Sequence, residues 1–314
     1  MSLPDLESFA NRLRKVYRHN GKWARRQGIT CYRIYDADMP EFPIVIDRYE
    51  DCIHAAEYSR PHGLDESEHR IWRSGCRQAM QDVLEVPAER IFFKERQPQK
   101  GTQQYERLGD KKKEIIAREG GLQFWVNLSD YLDAGLFLDH RITRQMVREQ
   151  SAGKRVLNLF AYTGSFTVYA AAGGALSTTT VDLSNTYLDW AKRNMELNGF
   201  GGQGHQFVRA DIKSWFQNPA RERYDLAVLD PPTFSNSKAM RDVLDIQRDH
   251  AELINQTLKL MSPGGIIFFS TNYRRFHLDE AAIETAHCKN ISAQTVPPDF
   301  RNKKIHQCYL LSRG

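Results

Sequence analysis

The chain has 314 residues, of which 41% are hydrophobic and 26% are charged, and its formal net charge is +5 at pH 7. This composition is ordinary for a globular protein, and the length allows one large core with a smaller second domain. We find no apolar run long enough to span a bilayer and no signal-peptide core, so we expect a cytoplasmic protein that does not bind membranes.

The five cysteines are scattered along the chain and form no Cys-x-x-Cys pair. They are Cys31, Cys52, Cys76, Cys288 and Cys308. An odd number of cysteines without metal-ligand spacing predicts reduced thiols that pack in the interior, and it predicts no metal site.

Residues 1–130 lack a regular alternation of strands and helices, which predicts a smaller α+β accessory domain. The amino end predicts a basic helix over 6–23. Further along, the patterns predict paired strands at 43–48 and 52–58, a helix over 65–84 capped by Asp65, and strands at 91–94 and 121–127.

The accessory domain begins with a basic segment. Residues 11–27 contain seven lysines and arginines and no acid, with Tyr17 and Trp23 among them. Cations with interleaved aromatic rings suit a phosphate backbone and unstacked bases. The alternative is a solvated helix face whose aromatic residues anchor it to the core. We select Arg18, Lys22 and Arg25 as candidate RNA contacts.

Two more basic stretches follow, and together they favour a polyanionic partner such as RNA. The second is 94–113, predicted to be a hairpin loop, and the third contains Arg301, Lys303, Lys304 and His306.

From residue 131 to 314 we predict a second domain with an α/β fold. Short apolar strands alternate with helices, which indicates a parallel sheet covered on both faces. The strands are predicted at 155–160, 178–183, 205–210, 225–230 and 265–270. A helix over 185–198 should end at Gly199. Segments 290–296 and 305–311 should form a hairpin that leaves one antiparallel strand in a seven-stranded, Rossmann-like sheet.

The loop after the first strand of this sheet is a candidate cofactor loop. Gly164 permits close approach to the backbone, and the following helix offers free N–H groups. A dinucleotide would require a Gly-x-Gly-x-x-Gly loop, whereas this one has a single glycine, so we predict a nucleoside without phosphates.

Acids end the next strands. Asp182 lies about twenty residues past Gly164, a position from which an acid can accept both ribose hydroxyls. Asp211 could accept from an adenine amino group, with Ile212 packed on the ring. The alternative for any one of these acids is a helix N-cap.

The turn Asp230-Pro-Pro-Thr-Phe234 follows a buried strand. Each proline fixes its φ and lacks an N–H, so the turn is stiff. A carboxylate, fixed carbonyls and a ring suit a planar hydrogen-bonding base. The alternative is that the prolines only end the strand.

These motifs resemble class I S-adenosylmethionine-dependent methyltransferases. The likeness rests on Asn158-Leu-Phe-Ala-Tyr-Thr-Gly164, Asp182, Asp211 and the Asp230 turn. More narrowly, the chain resembles the guanine-N7 half of the bifunctional large-subunit rRNA methyltransferase family. That likeness rests on Gly135-Leu-Phe-Leu-Asp-His-Arg141, Asp230-Pro-Pro-Thr-Phe-Ser-Asn-Ser-Lys238, Gln247-Arg-Asp-His250 and Asn302-Lys-Lys-Ile-His306. The guanine-N2 half and the additional RNA-binding module of that family do not occur in these 314 residues. We therefore expect a stand-alone version or an excised domain, to which only the guanine-N7 activity carries over.

The resemblance implies S-adenosyl-L-methionine as cofactor and 23S rRNA, or a large-subunit precursor, as substrate. A separate guanine-N2 methyltransferase would be a natural partner. The cofactor residues implied are Phe137, Asp139, Arg141, Asn158, Phe160, Ala161, Tyr162, Thr163, Gly164, Ser165, Asp182, Leu183, Asp211 and Ile212. Arg141 would pair with the cofactor's carboxylate. Asp230, Pro231, Pro232 and Phe234 would hold the base, and Ser235, Asn236 and Lys238 would contact neighbouring phosphates or ribose.

Several alternatives remain open from the sequence. Guanine N7 has an exposed lone pair and no proton to lose, so its site needs positioning and no base. Guanine-N2 or adenine-N6 methyltransferases use a similar acid-Pro-Pro-aromatic turn. A non-catalytic RNA-binding relic and a protein or small-molecule methyltransferase are further options. Cytosine-C5 chemistry requires a cysteine nucleophile, and none is placed at the ends of the fourth and fifth strands.

Overall fold

The computed structural model describes residues 4–58, 63–96, 113–219, 222–235, 243–285 and 287–313. The chain divides into two compact units. The amino-terminal unit contains Met1–Glu119, Val126–Ala134 and Pro298–Asn302, and the sheet unit contains Gly120–Trp125, Gly135–Pro297 and Lys303–Gly314.

The amino-terminal unit is built from two helices and a four-stranded sheet. Its elements are α1 (Leu6–Gln27), β1 (Cys31–Asp36), β2 (Ile44–Tyr49), β3 (Cys52–Tyr58), α2 (Glu66–Leu84), β4 (Ile91–Arg96) and β5 (Glu114–Glu119). The sheet order is β1-β2-β3-β4, with β3 and β4 parallel and the other pairs antiparallel. The predicted strand pair and α+β class are confirmed. Asp65 caps α2 through a capping box with Glu68, as predicted.

Helix α1 is one turn longer than the sequence pattern predicted. Asp5 caps it by accepting from the Glu7 N–H at 3.0 Å. Phe9, Leu13 and Ala24 are buried on one face. The helix continues past Trp23 because Gly28 is its first left-handed residue, with φ of 65°, and its N–H closes on Ala24 and Arg25.

The sheet unit contains a seven-stranded sheet with helices between its strands. The elements are β6 (Leu122–Asn127), whose last residues lie in the other unit, α3 (Arg141–Glu149), β7 (Arg155–Leu159), α4 (Ser165–Ala172), β8 (Ser177–Asp182), α5 (Asn185–Leu197), β9 (His205–Arg209), α6 (Ile212–Trp215), β10 (Tyr224–Leu229), β11 (Phe234–Ser235), β12 (Leu244–Asp245), α7 (Ile246–Leu260), β13 (Met261–Thr271), β14 (His287–Asn290), α8 (Ser292–Thr295) and β15 (Gln307–Ser312). The sheet order is β14-β15-β13-β10-β7-β8-β9.

The predicted parallel strands are confirmed to within one residue, except that β13 begins earlier, at Met261. Within the seven-stranded sheet, β15 runs antiparallel to both β13 and β14. The seven-stranded α/β sheet with a closing hairpin is therefore confirmed. The hairpin prediction was wrong in detail, because β14 ends at Asn290, whose side chain accepts from the Ser292 N–H at 3.0 Å and starts the short helix α8.

Successive residues of the central strands point to opposite faces of the sheet and belong to two separate core clusters. Leu157 of β7 and Phe269 of β13 belong to one cluster, whereas Val156 and Phe268 belong to the other. This alternation is that of a sheet covered on both faces. At the amino end of the sheet, Arg155 of β7 holds Asp225 of β10 through two side-chain bonds of 3.1 Å and a backbone bond of 3.0 Å.

All five cysteines are free thiols, and four of them are buried. The prediction that they pack in the interior is confirmed for those four, and Cys288 is half-buried. Within the part of the chain that the structure describes, we find no helix that combines the length and the apolarity needed to cross a bilayer.

Candidate active site

The carboxyl edge of the sheet brings the predicted strand-end residues together. Strands β10, β7, β8 and β9 are parallel neighbours in that order. Asp230, loop 160–164, Asp182 and Asp211 follow these strands and therefore line one edge, which is where open α/β sheets bind ligands.

Loop 160–164 has an unusual backbone. Phe160 and Tyr162 have φ angles of 56° and 50°, in the left-handed region that non-glycine residues rarely adopt. Two hydrogen bonds fix the loop, from Thr163 Oγ1 to the Gly135 carbonyl at 2.5 Å and from Asn194 Nδ2 to the Thr163 carbonyl at 2.9 Å. Strained backbone held in place by its surroundings is typical of ligand-binding loops.

Gly164 is required here for packing. It has a φ of 70°, and a Cβ at this position would lie 2.5 Å from the Cβ of Ala191. The role predicted for this glycine was ligand approach, whereas the structure shows close approach of α5.

Asp182 is held by backbone donors. Its Oδ2 accepts from the Tyr162 N–H and its Oδ1 from the Ser184 N–H, each at 2.9 Å. Burial raises the pKa of the Asp182 carboxyl to about 6, and the backbone donors oppose the rise. The carboxylate keeps acceptor capacity for a hydroxyl, as the ribose prediction requires.

Asp211 is the N-cap of α6. Its Oδ2 accepts from the Ser214 N–H at 3.4 Å and from Ser214 Oγ at 2.8 Å. The capping alternative considered for this acid is therefore present, and it occupies one of the two carboxylate oxygens. Ile212 is 2% exposed and belongs to the core.

Asp230 is anchored on the neighbouring strand. Ser270 Oγ of β13 donates to its Oδ1 at 2.6 Å. Pro231 is buried and Pro232 half-buried, while Phe234 is 48% exposed. Thr233 Oγ1 donates to Asn272 Oδ1 at 2.6 Å, which fixes the middle of the turn. The turn thus presents a fixed carboxylate beside an accessible ring.

Aromatic rings gather around the loop. The Tyr162 ring centroid lies 5.2 Å from that of Phe137, 4.6 Å from that of Tyr187 and 6.5 Å from that of Trp190. Phe137 is 41% exposed. Tyr187 and Trp190 were not predicted from the sequence, although their i, i+3 spacing on α5 could have indicated a shared face.

Two histidines were also missed. His140 and His306 stack with ring centroids 4.5 Å apart, and His306 Nδ1 lies 3.0 Å from Asp139 Oδ2. His306, which was counted in the third basic stretch, is 1% exposed and does not offer a surface cation. Composition alone does not distinguish a histidine buried beside an acid from a histidine exposed on the surface.

The remaining predicted cofactor residues lie along the same elements. Asn158 is buried and its amide donates to Thr167 Oγ1 at 2.9 Å, so its side chain contributes to packing. Arg141 is the half-buried first residue of α3. The others fall into two groups, buried Ala161 and Thr163 and half-buried Asp139, Phe160, Ser165 and Leu183.

The predicted RNA contacts differ in how exposed their side chains are. Arg18, Lys22 and Arg25 are exposed at i, i+4 and i+7 on α1. Tyr17 and Trp23 pack against the core, which is the anchoring role considered as the alternative for those rings. Ser235 is 8% exposed, and its predicted RNA contact stays a prediction.

Asn236 and Lys238 lie outside the described residues, as does most of the basic stretch 94–113.

Comparison with known proteins gives three results. The family described as S-adenosylmethionine-dependent methyltransferase matches residues 93–307. The ribosomal RNA large subunit methyltransferase K of Neisseria meningitidis is 53% identical over 98% of this chain and 87% of its own length. The methyltransferase K/L of Methylococcus capsulatus is 50% identical over 96% of this chain but only 42% of its own length, so the chain spans less than half of that relative.

A solved structure of an S-adenosylmethionine-dependent methyltransferase from Streptococcus mutans has a TM-score of 0.74, with 24% identity over 96% of this chain and 81% of that one. At this identity the likeness concerns the fold.

Proposed function

Since this chain belongs to the S-adenosylmethionine-dependent methyltransferase family, we propose that it transfers the cofactor's methyl group to guanine N7 in large-subunit (23S) rRNA. The relatives named for large-subunit rRNA methylation support the substrate class. The choice of guanine N7 depends on the resemblance carried by the longer string Asp230-Pro-Pro-Thr-Phe-Ser-Asn-Ser-Lys238. The anchored Asp230 carboxylate and the exposed Phe234 support a planar base as the acceptor.

The residues at the carboxyl edge fit the cofactor. Asp182 would accept the ribose hydroxyls with the lone pairs that its backbone donors leave unused. Phe137 and Tyr162 offer ring faces beside the loop, and Asp211 and Ile212 would border the adenine. The bound cofactor supplies an electrophilic methyl group on sulfur.

The base site positions its substrate. Asp230 and the Pro231 carbonyl would accept from the N–H edge of guanine, while Phe234 stacks on the ring. Ser270 keeps one carboxylate oxygen oriented by its 2.6 Å bond. Because N7 carries a lone pair and no proton, alignment of that atom is sufficient. The Asp230 carboxylate also favours the positive charge that develops on the methylated base.

Cytosine-C5 chemistry does not suit this site. Cys308 lies in β15, opposite Ser270 in the β13–β15 register. The cysteine is fully buried, and burial raises the pKa of its thiol well above the usual range. A neutral, enclosed thiol is not a nucleophile.

RNA would be held in part by the amino-terminal unit. Arg18, Lys22 and Arg25 form an exposed cationic face, and none of the three pairs with an acid among the described residues. We propose that residues 1–130 act as the RNA-contacting domain and 131–314 as the methyltransferase domain.

Mass spectrometry of rRNA nucleosides after incubation with labelled cofactor tests this function. Labelled 7-methylguanosine is the expected product, at one nucleotide of large-subunit RNA. Asp230→Asn should abolish it, and Asp189→Asn, an exposed acid on α5, is the matched control. Labelled N2-methylguanosine or N6-methyladenosine would contradict the N7 assignment, and absence of cofactor binding would favour an RNA-binding relic.

A further inference from the structure

His140 is a buried histidine that none of the roles above uses. It is 6% exposed, and among the described residues its Nδ1 has no hydrogen-bond partner. Its Nε2 lies 3.7 Å from Asp139 Oδ2 and 3.7 Å from Asp230 Oδ2. The imidazole therefore stands between an acid assigned to the cofactor and an acid assigned to the base.

The His140 ring is held by its neighbours. It stacks on His306 at 4.5 Å with an interplanar angle of 10°, and it meets the edge of Phe166 at 5.7 Å. His306 is itself fixed at both nitrogens, by Asp139 at 3.0 Å and by Thr295 Oγ1 at 2.9 Å. The orientation of His140 is thus set by packing and does not depend on its own hydrogen bonds.

This geometry selects one tautomer of His140. A carboxylate is only an acceptor, so an unprotonated Nε2 would direct its lone pair at two negative oxygens. The proton of the neutral ring therefore lies on Nε2. Both 3.7 Å separations are longer than a hydrogen bond. Bonds of this kind in unliganded sites often shorten when substrates bind.

A metal ion is the competing interpretation of this cluster. Asp139, His140 and His306 offer ligand atoms within 4.8 Å of one another. An imidazole lone pair lies in the plane of its ring, however, and the two rings are stacked at 10°. Two nearly parallel, stacked planes do not meet at a point close to both rings. The arrangement therefore suits a proton-sharing network.

We propose that His140 is a positioning residue for methyl transfer, whose Nε2–H joins Asp139 to Asp230 and sets where the Asp230 carboxylate stands against the base. The proposal rests on the proposed function, since it concerns the same site. His140 acts through Asp230. Asp139 is held separately by His306 at 3.0 Å, so cofactor affinity would not depend on His140.

Turnover should depend on the protonation of His140. Burial lowers the pKa of His140, Asp230 and Asp139 act in the opposite direction, and His306 and Arg144 lower it further. The ring is thus neutral at neutral pH, and the buried Cys308 thiol nearby is neutral as well. In acid the imidazolium would pair with both carboxylates and draw Asp230 away from the base. Turnover should then fall.

Two substitutions separate the N–H from the shape of the ring. His140→Phe keeps a ring that can stack but has no hydrogen-bond donor. His140→Gln keeps an N–H donor near the position of Nε2, and this donor does not titrate. At saturating cofactor and RNA, His140→Phe should lower kcat by about 10- to 100-fold, the range found when groups that orient metal ligands are removed. His140→Gln should restore most of the loss, and the cofactor KM should stay constant in both. His205→Gln, at the amino end of β9, is the matched control.

Several results would overturn the proposal. They are a wild-type kcat in His140→Phe, equal losses in the Phe and Gln variants, and a chelator-induced loss of turnover that Zn²⁺ restores. If His140→Phe does not fold, the kcat–pH profiles decide, because the acid-side decline of the wild type should be missing in His140→Gln. Identical profiles would also overturn it. The identity of the wild-type nucleoside product tests the N7 assignment separately, since the variant comparison uses total methyl transfer.

Discussion

An aspartate lies near each end of strand β10, and the two acids have different roles. Asp225 lies at its amino end and Asp230 just past its carboxyl end, with side chains 28% and 27% exposed. Asp225 is held by the Arg155 guanidinium, which lowers the pKa of its carboxyl to about 2. Asp230 is bonded to a neutral hydroxyl, and no described lysine or arginine lies within 4.0 Å of it.

The difference lies in the partners, because the exposure of the two side chains is the same. An acid with its own cation is satisfied within the fold and contributes to stability. An acid oriented by a hydroxyl still has acceptor capacity for a ligand. Asp182 is likewise held by neutral donors, in its case backbone N–H groups, and so it also keeps acceptor capacity for a ligand.

The largest effect should come from exchanging Asp230 and Asp225 one at a time for alanine. Asp230→Ala should lower turnover by about 100-fold or more, as removal of a transition-state contact does, without changing the melting temperature or cofactor affinity. Asp225→Ala should lower the melting temperature while the folded enzyme keeps its turnover. Steady-state kinetics and thermal unfolding of both variants measure the two outcomes. Equal turnover losses would contradict the division of roles.

Asp182→Ala should have the next largest effect. Loss of hydrogen bonds to a charged acceptor costs roughly 1.5–3 kcal/mol each, so cofactor affinity should fall by at least about tenfold. RNA affinity should not change. Calorimetric titration with S-adenosylhomocysteine and a separate RNA-binding assay give the two numbers. A parallel loss in both would remove Asp182 from the ribose site.

The pH dependence of cofactor binding also tests the role of Asp182. Since burial raises the pKa of Asp182 to about 6, the carboxylate is lost as pH falls through that value. Cofactor affinity should decline over the same range in the wild type and should be flat in Asp182→Asn.

The sequence was informative where the signal is local. The strand-end acids and loop 160–164 could be located because short apolar strands alternate with helices and the acid follows directly on each strand. The α/β fold followed from the same alternation. Asp230 could be distinguished from Asp225 only through its proline turn.

Contacts between distant residues could not be predicted. His306 contacts Asp139, which lies 167 positions away in the chain. Ser270 reaches Asp230 from 40 residues along the chain. Such pairs depend on strand order and register, and neither can be read from residue spacing. The packing role of Gly164 against Ala191 was missed for the same reason.

The cationic face of α1 should have a smaller effect, seen mainly through salt. Reversing Arg18, Lys22 and Arg25 to glutamate should reduce the slope of log affinity against log salt by about 0.7 to 0.9 for each RNA phosphate that the variant no longer neutralises. Reversal of the exposed, scattered lysines Lys192, Lys259 and Lys289 changes the net charge equally and serves as control. If both triple variants change the slope alike, the face binds RNA only through overall charge.

The smallest expected effect concerns the free energy of unfolding between pH 7 and 5. His140 and Asp182 should change this free energy in opposite directions as pH falls. Burial lowers the pKa of His140, so its contribution is present above the unfolded value of 6.5 and is lost as pH falls. Asp182 has a raised pKa of about 6 against 3.8, so its protonation favours the folded state as pH falls. His140→Gln should therefore lose less stability than the wild type over this range, and Asp182→Asn should lose more.

Each difference is at most about 1.4 kcal/mol per pH unit, the limit for one proton, and urea unfolding at a series of pH values would measure it. Other titrating groups such as His205 are common to all three proteins and cancel in the comparison, so curves that stay parallel would show that neither residue titrates as its burial requires.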